Sequence, residues 1–264
     1  MEQMLTSDEF AVQARQKLVS QSIAIRTGML AEVRKVCHSI RPDYNSVRKY
    51  TTNIKDWLLP VIDLRDYHVY PTCGITEGLN WWYDKERRTV DMAQGDYQWI
   101  TKTGNDVLYV SMPSAIDGNL RAIDDQRPVV LDLAYVGSNL PMPISNRNVE
   151  KAFFSLSKSF GLRNIRTGWY FSRTEDQRLD GLIHSAKYFN YYACDLAEAI
   201  IDRFHIGYVY DKLHDQQLNV CKLLGLTASD SVWLATSTDD EYTKFRRHSN
   251  IARICLAGLY DYAA

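Results

Sequence analysis

The stretch Phe154-Ser155-Leu156-Ser157-Lys158-Ser159-Phe160-Gly161-Leu162-Arg163-Asn164-Ile165-Arg166-Thr167-Gly168 sets one lysine among small hydroxyl side chains, then a glycine, then an arginine eight residues on. An amine condenses with an aldehyde, and a guanidinium helped by a hydroxyl grips a phosphate. A segment carrying all of these could hold an aldehyde and a phosphate together. A lone lysine is far more often a solvated surface charge, so the reading depends on what the rest of the chain places beside Lys158.

Other stretches offer groups for the same task. Tyr67-His68-Val69-Tyr70 reads as a short strand broken by Pro71, and Gly74 opens a helical pattern that runs through Leu79 and Trp82. A helix start presents unpaired N–H groups and a positive dipole end, which makes Gly74-Ile75-Thr76 a candidate phosphate cradle, although an ordinary helix cap looks the same. Thr89 to Met92 reads as a strand, followed by a turn in which Tyr97 or Trp99 could stack on a flat ring or simply fill core. Val129-Val130-Leu131-Asp132-Leu133 ends an apolar strand on a carboxylate, with the Tyr135 phenol close behind. A charge there needs a partner: a protonated ring nitrogen would serve, and so would a structural salt bridge.

Elements of two kinds must position these groups. Apolar runs at Val107 to Val110, Val129 to Leu133, Ala152 to Leu156 and Gly168 to Phe171 read as strands, separated by helices and loops. That alternation predicts an α/β layer architecture with a largely parallel sheet, in which ligands bind at the carboxyl ends of strands, where the candidates fall. Helical spacing marks Ser7 to about Val47, Glu175 to His205 (with an aromatic-rich break at Tyr188 to Tyr192) and Tyr210 to Leu224. Ser231 to Ala235 and Ile251 to Leu256 read as strands flanking a helix near Asp240 to Arg247. The expected division is a helical N-terminal arm (1–47), a large domain (48–209) and a small C-terminal α+β domain (210–264). Arg253, a charge inside an apolar strand, reads by itself as an edge residue reaching solvent.

Composition excludes several classes. The chain has 264 residues, 45% of them hydrophobic and 24% charged, which fits a folded globular protein. It has no apolar run long enough to span a bilayer, and Glu2, Asp8, Glu9 and Arg15 interrupt the start where a secretory signal would be apolar, so a cytoplasmic protein with no membrane partner is expected. A net charge of -1 supplies no general attraction for nucleic acid. The five scattered cysteines, Cys37, Cys73, Cys194, Cys221 and Cys255, read as free thiols, with no metal site expected.

Taken in order, these residues resemble the fold-type I pyridoxal-phosphate enzymes, specifically the class I/II aminotransferases related to aspartate and histidinol-phosphate aminotransferases. The lysine segment fills the family pattern S-x-[SA]-K-x-x-G-L-x-x-x-R-x-G through Ser155, Lys158, Gly161, Leu162, Arg166 and Gly168. The resemblance implies a three-layer sandwich with a mostly parallel sheet plus the small domain, and pyridoxal 5'-phosphate as cofactor. It gives Lys158 the Schiff-base role, Ser155 and Arg166 the phosphate, and Asp132 the pyridinium nitrogen, with Tyr135 at the ring hydroxyl. Gly74, Ile75 and Thr76 match the phosphate loop, Tyr97 the stacking aromatic, and Arg253 the grip on the substrate α-carboxylate. Three departures stand out: Ala115-Ile116-Asp117-Gly118 occupies the family's Asn-Pro-Thr-Gly loop, leaving Ser114 and Asn119 as nearby substitutes; the chain is short; and no N-terminal substrate-covering segment is evident.

The implied reaction is transamination between an amino acid and a 2-oxo acid. Asp132 keeps the ring nitrogen protonated, while Lys158 carries the proton from Cα as general base and then acid. A lyase, decarboxylase, racemase or cyclising enzyme would use the same site, and a noncatalytic relative would have kept only the fold. The resemblance also implies a homodimer, with Tyr44 or Tyr50 as candidates to reach the partner's phosphate site.

Overall fold

The computed structural model describes residues 7–19, 31–39, 47–97, 103–123, 126–145, 147–246 and 250–260. Trp99, Tyr44 and Arg247, named above, lie outside them. The N-terminal helices are α1 (Ser7–Lys17), α2 (Ala31–Ser39) and α3 (Val47–Leu58). The large sheet follows, built from β1 (His68–Thr72), β2 (Val90–Met92), β3 (Val107–Ser111), β4 (Val129–Asp132), β5 (Val149–Phe154) and β6 (Gly168–Ser172). Its order is β1-β6-β5-β4-β3-β2. The run β2-β3-β4-β5 is parallel, whereas β6 is antiparallel to both β5 and β1. The expected mostly parallel sheet is therefore present, with one reversed strand inserted near its edge.

Pro71 does not break β1, contrary to the sequence expectation: it pairs with Trp169 inside the strand. β1 is the edge of the sheet, the place where a strand tolerates proline because it has a ladder on one side only.

Helix α4 (Ile75–Glu86) packs on β1, β5 and β6, and the glycine at position 78 lets it come close, since a β-carbon there would lie 2.9 Å from the Phe153 ring. On α3, Tyr50, Ile54 and Leu58 recur every four residues and are buried, which turns one face toward α7 (Tyr191–Arg203) and the sheet. Tyr50 stacks on Trp169 at 4.4 Å, and Phe154 stacks on the same indole at 5.4 Å. The stretch before α7 is divided, as its aromatic cluster suggests, into α6 (Gln177–Asp180), a π-helical turn at Gly181–Ser185 and a break before Tyr191.

Helix α8 (Tyr208–Leu224) ends at Gly225 in the left-handed conformation. The second sheet, β7 (Thr227–Ala228), β8 (Leu234–Ser237) and β9 (Ala252–Cys255), is antiparallel and gives the small α+β unit. The strand expected over Ser231 to Ala235 starts three residues late, because Ser231 is held in the turn by the Ser138 hydroxyl at 2.8 Å. A 3-10 helix, Asp240–Phe245, stands where a helix was expected. Val19 forms a bridge with Cys255, so the chain just after α1 adds to this sheet. No described helix is long and apolar enough to cross a membrane, and all five cysteines are free thiols.

Candidate active site

Parallel pairing collects the candidate groups at one edge of the large sheet. β4 ends on Asp132, β5 runs into Ser155 and the short helix α5 (Leu156–Ser159) that carries Lys158, and β1 runs into Gly74. β6, being antiparallel, begins at this edge, so the loop before it delivers Arg166. Register pairs Thr72 with Gly168. Gly168 has to be glycine there: a β-carbon would sit 2.7 Å from both the Gly74 Cα and the Thr72 hydroxyl.

The segment from Lys158 to Arg166 is not one helix. α5 stops after a single turn, Gly161 turns left-handed at φ 71°, and Arg166 itself adopts φ 63°. For a residue with a β-carbon that conformation costs about 1–2 kcal/mol. It is held where the guanidinium faces the start of α4: a β-carbon added to Gly74 (φ 93°) would lie 2.9 Å from an Arg166 guanidinium nitrogen. No side chain caps α4. Arg166 is exposed and, among the described residues, no carboxylate pairs with it. A guanidinium, uncapped N–H groups at Gly74-Ile75-Thr76 and the positive end of a three-turn helix make a cradle for a dianion. Ser155, at the N-cap of α5, spends no side-chain hydrogen bond on that helix, and the buried Ser157 and Thr167 hydroxyls have no partner among the described residues.

Asp132 is 4% exposed. One oxygen accepts from the Tyr109 hydroxyl at 2.6 Å and the other from the Ala134 N–H at 2.8 Å. Burial pushes its carboxyl up to about 6, against the pull of those two donors, and the nearby Asp96 adds to the rise while Lys158 opposes it. Among the described residues no basic side chain forms an ion pair with Asp132, which disfavours the structural salt-bridge reading. A cationic heterocyclic N–H would answer the burial cost.

Lys158 Nζ donates to the Tyr135 hydroxyl at 3.3 Å and lies 4.7 Å from the centre of that ring. Tyr97 joins the cradle side, its hydroxyl 2.6 Å from Thr76 Oγ1, and burial raises its phenol. An aldehyde at Lys158, a ring over Asp132 and a phosphate between Arg166 and Gly74 thus meet suitable groups, so the residues present fit pyridoxal phosphate.

Arg253 departs from its bottom-up reading as a solvent-reaching edge residue. It is 2% exposed and its guanidinium donates to the Ala115 carbonyl across the boundary between the two sheets. Burial raises the Cys255 thiol on the same strand, and the Ala257 N–H and the fields of Arg253 and Lys158 oppose that rise. Of the proposed substitutes for the missing asparagine, Asn119 is turned away, its amide oxygen accepting from the Asp230 N–H at 3.1 Å, and Ser114 closes a local turn with the Ile116 N–H at 3.2 Å. Tyr50 is 1% exposed and donates to the Gly168 carbonyl of its own chain at 2.7 Å, so it is not a residue that reaches a partner's site.

Sequence reasoning missed Tyr109, Ser111 and Asp96. Tyr109 and Ser111 alternate onto one face of β3 beside Asp132, and Asp96 binds the Ser111 hydroxyl at 2.8 and 2.9 Å. The period-two alternation of β3 would have pointed to the first two once its pairing with the Asp132 strand was known.

No protein-family model and no curated protein sequence matches the chain. Solved structures do. An aromatic aminotransferase from Pyrococcus horikoshii superposes with a TM-score of 0.62 at 10% identity, covering 88% of this chain and 88% of that one. Histidinol-phosphate aminotransferase from Sinorhizobium meliloti, solved in complex with pyridoxal-5'-phosphate, gives 0.57 at 14% identity, over 89% of this chain and 84% of that one. L-threonine-O-3-phosphate decarboxylase from Porphyromonas gingivalis gives 0.55 at 13% identity, over 88% and 93%. The chain therefore has the three-layer fold of the fold-type I pyridoxal-phosphate enzymes.

Proposed function

We propose that this protein is a pyridoxal-phosphate-dependent aminotransferase that moves an amino group between an amino acid and a 2-oxo acid. The observation that carries the reading is convergence: the Lys158 amine, the buried Asp132 carboxylate and the open Arg166–Gly74 cradle lie along one edge of the sheet. Pyridoxal phosphate, when bound, supplies an aldehyde that captures an amino group and a pyridine ring that accepts the electron pair left at Cα.

The chain's own residues do the rest. Arg166 and the N–H groups of Gly74, Ile75 and Thr76 bind the phosphate, with Ser155 adding a hydroxyl. Asp132 holds a proton at the ring nitrogen, and its burial makes that charge pairing strong. Tyr97 would pack on the ring and Tyr135 would donate to the ring oxygen. Lys158 Nζ, which donates to the Tyr135 hydroxyl at 3.3 Å, would take the Cα proton of the amino acid as general base and give it back as acid. Arg253, whose guanidinium also donates to the Ala115 carbonyl, grips the α-carboxylate. A homodimer is the assembly we propose by analogy of fold, and sedimentation showing a fully active monomer would remove it.

The same groups would serve a decarboxylase or a cyclising enzyme, and the decarboxylase and cyclase among the structural neighbours keep that alternative open. A panel of amino donors mixed with the cofactor-loaded protein separates the two. Transamination predicts that at least one donor converts the bound cofactor to its amine form with release of a 2-oxo acid. Carbon dioxide or ammonia release with no such conversion would assign the alternative.

A further inference from the structure

Asp96 is a second buried carboxylate at this edge, 8% exposed, with no basic side chain in ion-pair contact among the described residues. It accepts from Ser111 Oγ through both oxygens, at 2.8 and 2.9 Å, and from the Tyr97 N–H at 2.8 Å. Burial raises it above the ordinary carboxylate range. A charge kept in such a place is costly unless its hydrogen bonds hold something.

Ser111 shows what is held. A carboxylate can only accept, so it claims the Ser111 hydroxyl proton and leaves the lone pairs of Oγ turned to the Ala115 N–H at 2.7 Å. The carbonyl of the same Ala115 accepts from the Arg253 guanidinium. One run of hydrogen bonds therefore passes from Asp96 through Ser111 and the backbone of residue 115 to the arginine of the small sheet. The Tyr97 N–H, with the Tyr97 hydroxyl on Thr76, ties the other side of Asp96 to the phosphate cradle. Alanine at 115 suits this arrangement, because the backbone makes both contacts and no side chain is asked for.

We propose that Asp96 and Ser111 are positioning residues that, through the backbone of Ala115, orient Arg253 toward the α-carboxylate of the amino acid substrate. The proposal rests on the reading of Arg253 given under Proposed function. It assigns carboxylate selectivity to a relay anchored in the large sheet.

The test uses the full chain loaded with cofactor, in Ser111→Ala, Asp96→Ala and Asp96→Asn forms. Two readouts need no turnover: hydrogen exchange of the Ala115 amide and the Nε–H resonance of Arg253. Loss of one buried hydrogen bond predicts roughly tenfold faster exchange at Ala115 in Ser111→Ala, with a displaced Arg253 signal. Steady-state kinetics should show KM for amino donors raised about 5- to 10-fold and kcat within about twofold. Asp96→Asn keeps an acceptor oxygen and should recover most of what Asp96→Ala loses. A folded Ser111→Ala with wild-type exchange and Arg253 signal overturns the relay, as does a moved Arg253 signal with unchanged KM. If Asp96→Ala does not fold, Ser111→Ala and Asp96→Asn carry the decision. A wild-type protein that converts no amino donor fails the aminotransferase reading instead, and the two spectroscopic readouts still decide whether Asp96 and Ser111 position Arg253.

Discussion

Two lysines seven residues apart, Lys151 on β5 and Lys158 just beyond it, sit at opposite ends of the same strand in opposite surroundings. Lys151 is 4% exposed, lies 3.1 Å from Glu86 and donates to Ser172 at 2.9 Å and Thr174 at 3.1 Å. Lys158 is only partly buried and meets the oxygen and ring of the Tyr135 phenol, in the field of Asp132. An ammonium whose three protons are all committed is a strut. An amine at the open carboxyl edge of a parallel sheet, beside a phenol and a buried acid, is placed to react. Residue type is the same in both; the end of the strand decides the use.

The largest expected effect breaks or keeps this contrast outright. Lys158→Ala should lower turnover by about 10³-fold or more and leave unfolding by denaturant nearly unchanged. Lys151→Ala should do the reverse, costing about 2–4 kcal/mol of stability while the folded fraction still attaches cofactor. If Lys151→Ala removes attachment and Lys158→Ala does not, the contrast is inverted.

The next effect sharpens it among arginines. Arg88 is tied to Glu150 at 2.6 Å, whereas Arg166 faces the uncapped start of α4. Arg166→Ala should weaken cofactor binding by roughly 10- to 100-fold, the range for one charge-assisted phosphate contact, as measured by equilibrium titration. Arg88→Ala should leave that affinity unchanged.

The last comparison is between two acids. Burial lifts Asp132 from 3.8 to about 6, so the empty protein takes up a proton there on folding. The stability this lends is full below about pH 3.8 and is lost as pH rises through about 6. Asp132→Asn should therefore gain on the wild type above pH 6, by about 2–3 kcal/mol near pH 8 at the upper end. At Asp176 burial also pulls upward, but Lys85 and the Leu179 N–H outweigh it and leave the carboxyl below its usual value. Asp176→Asn should lose stability above the carboxylate range and converge with the wild type in acid. Denaturant midpoints across pH on the empty protein would show the two opposite signs.

How much of this was legible in the sequence follows from which information is local. Lys158, Gly161 and Arg166 form one contiguous pattern, and Asp132 and Gly74 close their own strands, so each could be read where it stands. The reversed hand of β6 could not: Gly168 to Phe171 is apolar throughout, and a strand buried on both faces carries no periodicity that distinguishes parallel from antiparallel partners. Asp96, Ser111 and Tyr109 became site residues only through the pairing of β3 with β4, a contact between segments twenty or more residues apart. Arg253 illustrates the opposite case: its local context, a charge inside an apolar strand, suggested an edge residue reaching solvent, whereas in the fold it is buried and its guanidinium donates to the Ala115 carbonyl, a residue far away in sequence.

The central claim is that Lys158 is the amine that receives pyridoxal phosphate. Titrating the protein with the cofactor, reducing with borohydride and mapping the labelled peptide by mass spectrometry tests it directly. One phosphopyridoxyl group per chain on the peptide containing Lys158, with the visible band lost on reduction and absent from Lys158→Ala, is the result expected. Label on another lysine, or a band that persists in Lys158→Ala, would contradict it.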